Sequence, residues 1–333
     1  MIKSMHDYYG ILRRIPPAPR PPHEDPESLE RFWGAAWGAD DDVGRLRVCL
    51  VGRPPSSAAP FERGAYDPST GCLVDPEGRW YWRSDRPPDV ELINLQHQGL
   101  RRALEAEGVR VEVVETPQDG RALNAMFVRD QAAVVRGGAI VSRMGPLMRR
   151  GEEIYMARKL AALGVPILRT ISGTGLFEGG SFARLDRSHA AVAESCRTNP
   201  EAIRQISEVL APMGIEVITV PVTGYSLHID GCLVMVDRDK ALLATPRLPF
   251  FLLQRLEELG IVAVEAHPQD DFFAVNCLAV RPGRVLMCDG AERTAELLAK
   301  RGVEVVTVDY SEVKKAGGGI HCSTLPVLRD PAP

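Results

Sequence analysis

No apolar run approaches the ~18–20 residues that cross a bilayer, and the N-terminus, with Lys3, Arg13 and Arg14, has no apolar signal core. The seven cysteines, at 49, 72, 196, 232, 277, 288 and 322, are odd in number and never form a CxxC. That argues against a disulfide framework and against a zinc site. A basic stripe is missing too: Lys and Arg are scattered, the net charge is −4 and the pI is near 6.0, so a nucleic acid has no electrostatic footprint to meet. These absences point to a soluble, cytoplasmic protein with reduced thiols and with neither nucleic-acid nor membrane partners. Its 333 residues, 45% hydrophobic and 25% charged, suffice for a sizeable core.

Residues 1–43 read as a Pro-rich arm. Pro16, Pro17, Pro19, Pro21, Pro22 and Pro26 prevent regular structure, Glu27 to Trp37 fit a short helix with Trp33 and Trp37 on one face, and Asp40 to Asp42 form an acidic run. The arm is expected to dock its aromatics on a single body formed by residues 44–333.

That body repeats itself. Helix-like segments end in Gly108, Gly164, Gly214, Gly260 and Gly302, each followed at once by a β-branched strand, at spacings of 56, 50, 46 and 42 residues. Before the last four helices stand two apolar strands around a short polar turn: QAAVV-RGG-AIVS, SFARL-DRSH-AAVA, CLVMV-DRDK-ALLA and CLAV-RPGR-VLMC, each a β-hairpin by pattern. The first copy opens with Leu46 to Gly52, with Gly71 to Trp82 as an irregular hairpin partner. Five such units cannot each bury a face alone, and a ring of them is an α/β propeller; a doubly wound sheet would alternate strand and helix without hairpins.

Each unit's last strand runs into a polar motif: Asn124 to Asp130, then Phe177 to Gly180, then His228-Ile229-Asp230, then Asp270, Asp271 and Asn276, and finally Gly317-Gly318-Gly319-Ile320-His321-Cys322. Each has a bland explanation: Arg129 and Asp130 as a surface ion pair, Glu178 at a turn, His228 and Asp230 as an edge-strand pair. Three glycines can also let backbone approach a ligand closely. Recurrence at one place in every unit favours a shared site at the ring axis.

These residues resemble the guanidino-group-modifying enzymes, which include arginine and agmatine deiminases, dimethylarginine dimethylaminohydrolases and amidinotransferases. The resemblance covers about residues 44–333 through NAMFVRD at 124–130, SRMGPLMRRGEE at 142–153, FEGG at 177–180, SCRTN at 195–199, HID at 228–230, AVNC at 274–277 and GGGIHC at 317–322. It implies the pentein fold, a five-bladed pseudo-fivefold α/β propeller of ββαβ units. By motif, Cys322 is similar to the nucleophile, His228 to the general acid and base, and Asp130 and Asp230 to the carboxylates that hold a guanidinium. Glu178 resembles the carboxylate that pairs with the histidine or with substrate nitrogens. Arg149 and Arg197 stand where amino-acid-using members bind an α-carboxylate. Asn124, Phe127 and Gly318 resemble pocket-lining positions, and Ser181 departs from the Asp that many deiminases carry after EGG.

The implied chemistry is thiolate attack on the guanidino carbon, protonation of the leaving amine, and release of a ureido product by water, with no metal or organic cofactor. An amine in place of water would give an amidinotransferase, and a catalytically silent pentein would be a binding module. The HxD motif accompanies substrates with unsubstituted nitrogens, so L-arginine is expected ahead of asymmetric dimethylarginine. The partner is a small guanidino compound; a homo-oligomer is compatible with the sequence.

Overall fold

Hairpins whose strands are apolar on both faces must be covered on both sides. The computed structural model, which describes residues 4–15, 25–118, 123–224 and 226–332, does this with one helix per hairpin. Ala132–Val135 pairs antiparallel with Gly138–Val141, the chain crosses through the helix Glu152–Leu163, and Ile167–Thr170 returns parallel to the second strand. Met156 and Leu160 of that helix share a buried cluster with Ala139, Val141 and Val165. The same order recurs in Phe182–Arg184, His189–Glu194 and Glu216–Pro221, in Leu233–Asp237, Lys240–Leu243 and Val262–Glu265, and in Leu278–Arg281, Arg284–Cys288 and Glu304–Val308. The glycine after each helix takes a left-handed φ, from +71° at Gly214 to +82° at Gly164, as a C-terminal cap requires.

The first unit differs from its sequence reading. Leu46–Gly52 takes its antiparallel partner from the other end of the chain, Thr324–Arg329, and its parallel partner from Arg110–Val114. The stretch expected to supply that partner instead forms a separate three-stranded sheet of Ala65–Asp67, Cys72–Val74 and Tyr81–Trp82. The reason is pairing between residues nearly a full chain apart, which no local pattern encodes. The five repeat sheets stay separate. Their inner strands nonetheless touch: Thr324–Arg329 meets Ala132–Val135, and Leu278–Arg281 meets both Leu233–Asp237 and Leu46–Gly52. Among the described residues no helix is long and apolar enough to cross a membrane.

Of the arm, Pro16, Pro17, Pro19, Pro21 and Pro22 lie outside the described residues. The helix Pro26–Trp33 starts on an Asp25 cap and stops at Gly34. Trp37 is buried at 4% exposure, whereas Trp33 stays 39% exposed, so one of the two aromatics docks. The acidic run is no solvated face: Asp41 accepts from the backbone of Val43, Gly44 and Ala332, and Asp42 from that of Arg184. Residues 37–43 are thus knitted into the body. Trp37→Ala is expected to destabilise the fold by about 3–5 kcal/mol and Trp33→Ala by under ~1 kcal/mol, read by urea denaturation; equal effects would refute this division of the arm.

Candidate active site

Short 3-10 turns follow the last strands of the units, at Val128–Gln131, Gly179–Ser181, Ile229–Gly231, Phe272–Ala274 and Val313–Ala316, and they bring the five polar motifs together. Protein side chains occupy the space a Cβ would need along the glycine run. A Cβ at Gly317 would run into the Tyr81 hydroxyl, one at Gly318 into the Phe127 ring, and one at Gly319 into the Asn276 side chain. Gly317 also takes φ +98°. Gly180 is equally constrained, because a Cβ there would meet Asp130 and the His228 ring. The glycines therefore let Tyr81, Phe127 and Asn276 reach the backbone that leads to Cys322, and Asp130 and His228 reach that of Gly180.

Around Cys322 the contacts are specific. Its Sγ receives the Asn276 Nδ2–H at 3.2 Å and donates toward Asp230 Oδ2 at 3.5 Å, while its backbone N–H donates to Asn276 Oδ1. Asp230 Oδ2 also faces His321 Nδ1 at 2.9 Å. Arg129, far from being a surface partner of Asp130, is buried: its backbone N–H donates to the Cys322 carbonyl and its Nε to that of His321. Asn276, His321 and Arg129 were named by sequence only as parts of motifs, and their work on the cysteine appears only in three dimensions.

His228 lies between two carboxylates, with Nε2 2.7 Å from Glu178 Oε2 and Nδ1 3.5 Å from Asp130 Oδ1. Burial favours the neutral ring, but the charges of Asp130 and Glu178 outweigh it and raise its pKa to about 9. Glu178 would likewise be raised by burial, yet His228, Arg149 and Arg197 hold it at about 2. The cysteine moves the other way. Burial, Asp230 and Asp130 push the thiol well above its ordinary value, against weaker support from the Gly319 backbone and Asn276. Burial and the surrounding carboxylates thus favour the neutral thiol and the protonated imidazole. Asp230 itself lies below the usual carboxylate range, since His321 and the nearby cations outweigh its burial.

The arginines part company with expectation. Arg149 is buried with its fork occupied: Nε and Nη2 donate to Glu152, Nη1 to Asp130 Oδ2 at 2.6 Å, and Nη2 to the carbonyl of Phe127. Glu152, unremarked in the sequence, takes the donors that a substrate carboxylate would need. Arg149 accordingly aims Asp130 instead of offering a free carboxylate site. Arg197 commits only Nη1, at 3.0 Å from both Glu178 oxygens, and lines a cavity of about 50 Å3 with Asn124, Phe127, Asp130, Gly318 and Cys322. Ser181 is fully buried and outside that cavity; nothing in the structure explains its identity.

One acceptor is conspicuously idle. Asp130 Oδ1 is buried, faces the His228 ring and accepts no hydrogen bond. Donor atoms of Asp130, Glu178 and His228 lie within 4.8 Å of one another, close enough to hold a metal ion. The imidazole's high proton affinity and the arginines on both carboxylates suit that trio to a proton and an organic cation.

A family model described as N,N-dimethylarginine dimethylhydrolase, eukaryotic, matches residues 89–329. The N(G),N(G)-dimethylarginine dimethylaminohydrolase of Pseudomonas aeruginosa is 29% identical over 238 residues, covering 72% of this chain and 89% of the relative. The structure of that organism's enzyme as a cysteine-to-serine mutant complexed with citrulline superposes with a TM-score of 0.68 at 24% identity, covering 85% of this chain and all of the other. The N-terminal domain of ArgZ, a cyanobacterial arginine dihydrolase, solved with a covalently bound reaction intermediate, gives 0.69 at 20% identity over 86% of this chain and 99% of its own. The match across most of the chain, joined to a cysteine, a histidine and carboxylates gathered at one point, makes this protein a guanidino-modifying hydrolase that belongs to the N,N-dimethylarginine dimethylhydrolase family.

Proposed function

We propose that this enzyme hydrolyses the guanidino group of L-arginine or a close derivative in the cytoplasm, through an amidino intermediate on Cys322, to citrulline and ammonia or an amine. The observation that carries the reading is the pair of carboxylates at Cys322: Asp130 lines one cavity with it, and Asp230 Oδ2 lies 3.5 Å from its Sγ. A planar cation with N–H groups along two edges completes both carboxylates. The five repeat sheets are read as blades around one axis, an arrangement that makes their polar ends converge.

The resting thiol is held neutral by the same carboxylates that attract the substrate. Binding of the cation offsets their charge, so the thiol proton leaves through Asp230 to solvent and the thiolate forms next to the carbon it attacks. Attack makes the S–C bond. His228, already protonated, gives its proton to the leaving nitrogen as the C–N bond breaks. The now neutral imidazole takes a proton from water, the hydroxide adds to the amidino carbon, and cleavage of the S–C bond returns the thiolate with a ureido product. Asn276 steadies the sulfur through both halves. Arg197, with Nε and Nη2 uncommitted, reads the substrate α-carboxylate.

Dimethylarginine is the second reading, favoured by the family match. Against it stands Asp230, to which a dimethylated nitrogen offers no N–H, although His321 Nδ1 already meets one of its oxygens.

Three outcomes are expected. Cys322→Ala lowers citrulline formation by about 10⁴-fold or more while the fold is retained, and the wild-type protein quenched in turnover carries an amidino mass on Cys322; normal turnover by the variant would sink the mechanism. L-arginine is used better than agmatine on the order of 100-fold, the scale of a charge-assisted pair, and better than asymmetric dimethylarginine; Arg197→Ala removes the first preference. Preferential release of dimethylamine would transfer the enzyme to the second reading, and ornithine formed only with an added amine would make it a transferase.

The third outcome concerns pH. Because His228 must carry a proton to act as the acid, kcat/KM falls as pH rises through about 9. Its folded value exceeds the unfolded 6.5, so the stability it contributes is complete below pH 6.5 and is lost as pH rises through about 9. Glu178, at about 2 against 4.5 unfolded, contributes above pH 4.5 and loses its share as pH falls through about 2. An NMR titration of the His228 ring with a midpoint near 6.5 would contradict this assignment.

A further inference from the structure

Cys322 opens on a second cavity besides the one that holds Arg197. This chamber has a volume of about 100 Å3, room for more than one water. Both spaces share His228, Leu227, Tyr81, Gly317 and Cys322, but the carboxylates divide: Asp130 belongs to the first and Asp230 to the second. A guanidinium lying over Cys322 therefore has one edge toward each chamber. The first chamber, with Arg197, takes the amino-acid chain. The second faces the far nitrogen.

The far chamber has its own electrostatics. Its walls include Phe272 and Phe273, packed edge to face at 5.3 Å, with Arg247 lying 4.0 Å over the Phe272 ring and Arg83 5.8 Å over that of Phe273. Arg149 and Arg197 are neutralised by Glu152, Asp130 and Glu178. Arg83 and Arg247 have no carboxylate within salt-bridge distance among the described residues; the Arg247 side chain donates to the carbonyl of Gly231, and the Arg83 guanidinium lies over its ring. Two unneutralised guanidinium groups beside an apolar wall and a catalytic acid describe a receptor for a small anion. Arg83 follows the strand Tyr81–Trp82 of the additional sheet, and Tyr81 anchors that sheet on Gly317. This sheet precedes residue 89, where the family match begins.

We propose that the far chamber is a subsite for an anionic substituent on the guanidino nitrogen that leaves, so that the substrate class includes arginines mono-substituted by a short carboxyalkyl group. This rests on the hydrolase reading above and specifies which amine departs. A mono-substituted nitrogen keeps one N–H for Asp230, which a dimethylated nitrogen lacks, and its carboxylate meets Arg83 and Arg247. Attack by Cys322 and a proton from His228 release the substituent as an amino acid, and water then frees citrulline. With Nω-carboxymethyl-arginine the balance is substrate plus water to citrulline plus glycine, with no change of oxidation state.

The test compares three compounds: L-arginine, Nω-carboxymethyl-arginine and its neutral isostere Nω-carbamoylmethyl-arginine. The acid is expected to exceed the amide in kcat/KM by about tenfold or more, the scale of one charge-assisted hydrogen bond. In Arg83→Gln and Arg247→Gln that ratio falls toward one; Arg83 is exposed, so its variant retains the fold. Calorimetric binding of acid and amide to the Cys322→Ala protein reads the subsite independently of turnover. Equal affinity there, or an unchanged acid-to-amide ratio in both variants, overturns the proposal. Failure of all three compounds to yield citrulline overturns the hydrolase reading instead, and the binding preference then stands or falls alone.

Discussion

Asp130, a buried carboxylate held between Arg149 and the His228 ring near a thiol that two carboxylates keep protonated, is the constraint on which the rest of the site depends. Asp130 could not stay in that state unless one of its oxygens were held, and Arg149 holds it; Arg149 in turn needs Glu152 and two backbone carbonyls to be buried itself. The free energy to keep this arrangement comes from the apolar sheets behind it. The same carboxylates that draw the His228 ring toward its charged form also hold the Cys322 thiol above its ordinary range.

The proton sits elsewhere for the same reason. His228, between Asp130 and Glu178, is drawn toward its charged form, whereas the cysteine's hydrogen-bond partners are Asn276 and Asp230. The imidazole and the thiol are thus held by different partners.

The walls show how far a reactive centre relies on residues without chemistry of their own. Gly317, Gly318 and Gly319 give way to Tyr81, Phe127 and Asn276, and Arg129 fixes the carbonyls of His321 and Cys322 from behind. At the end of the chain, Arg329 donates to the carbonyl of Gly44, and Asp41 draws in Ala332. The N-terminal acidic run and the C-terminal strand thereby lock the first sheet, which has a member from each end of the chain.

Much of this was legible in the sequence where the determinants are local. Hairpins, their turns, the glycines that cap the helices and the place of each polar motif follow from period-two patterning and left-handed caps, which depend on neighbours a few residues apart. Recurrence at one position of the repeat pointed to five converging motifs, the family resemblance picked Asp130, Glu178, His228, Asp230 and Cys322 out of them, and the fold gathers these residues. What tertiary structure alone decided is who meets whom. The partner of Leu46–Gly52 comes from the far terminus, Arg149 spends its donors on Glu152 and Asp130, Trp37 is buried while Trp33 is not, and Tyr81 and Arg83 arrive from a sheet outside the repeat. Local pattern fixes where a side chain stands on its element, but pairing across hundreds of residues is set by how the sheets assemble, and burial then decides which charges find a partner and which are left for a ligand.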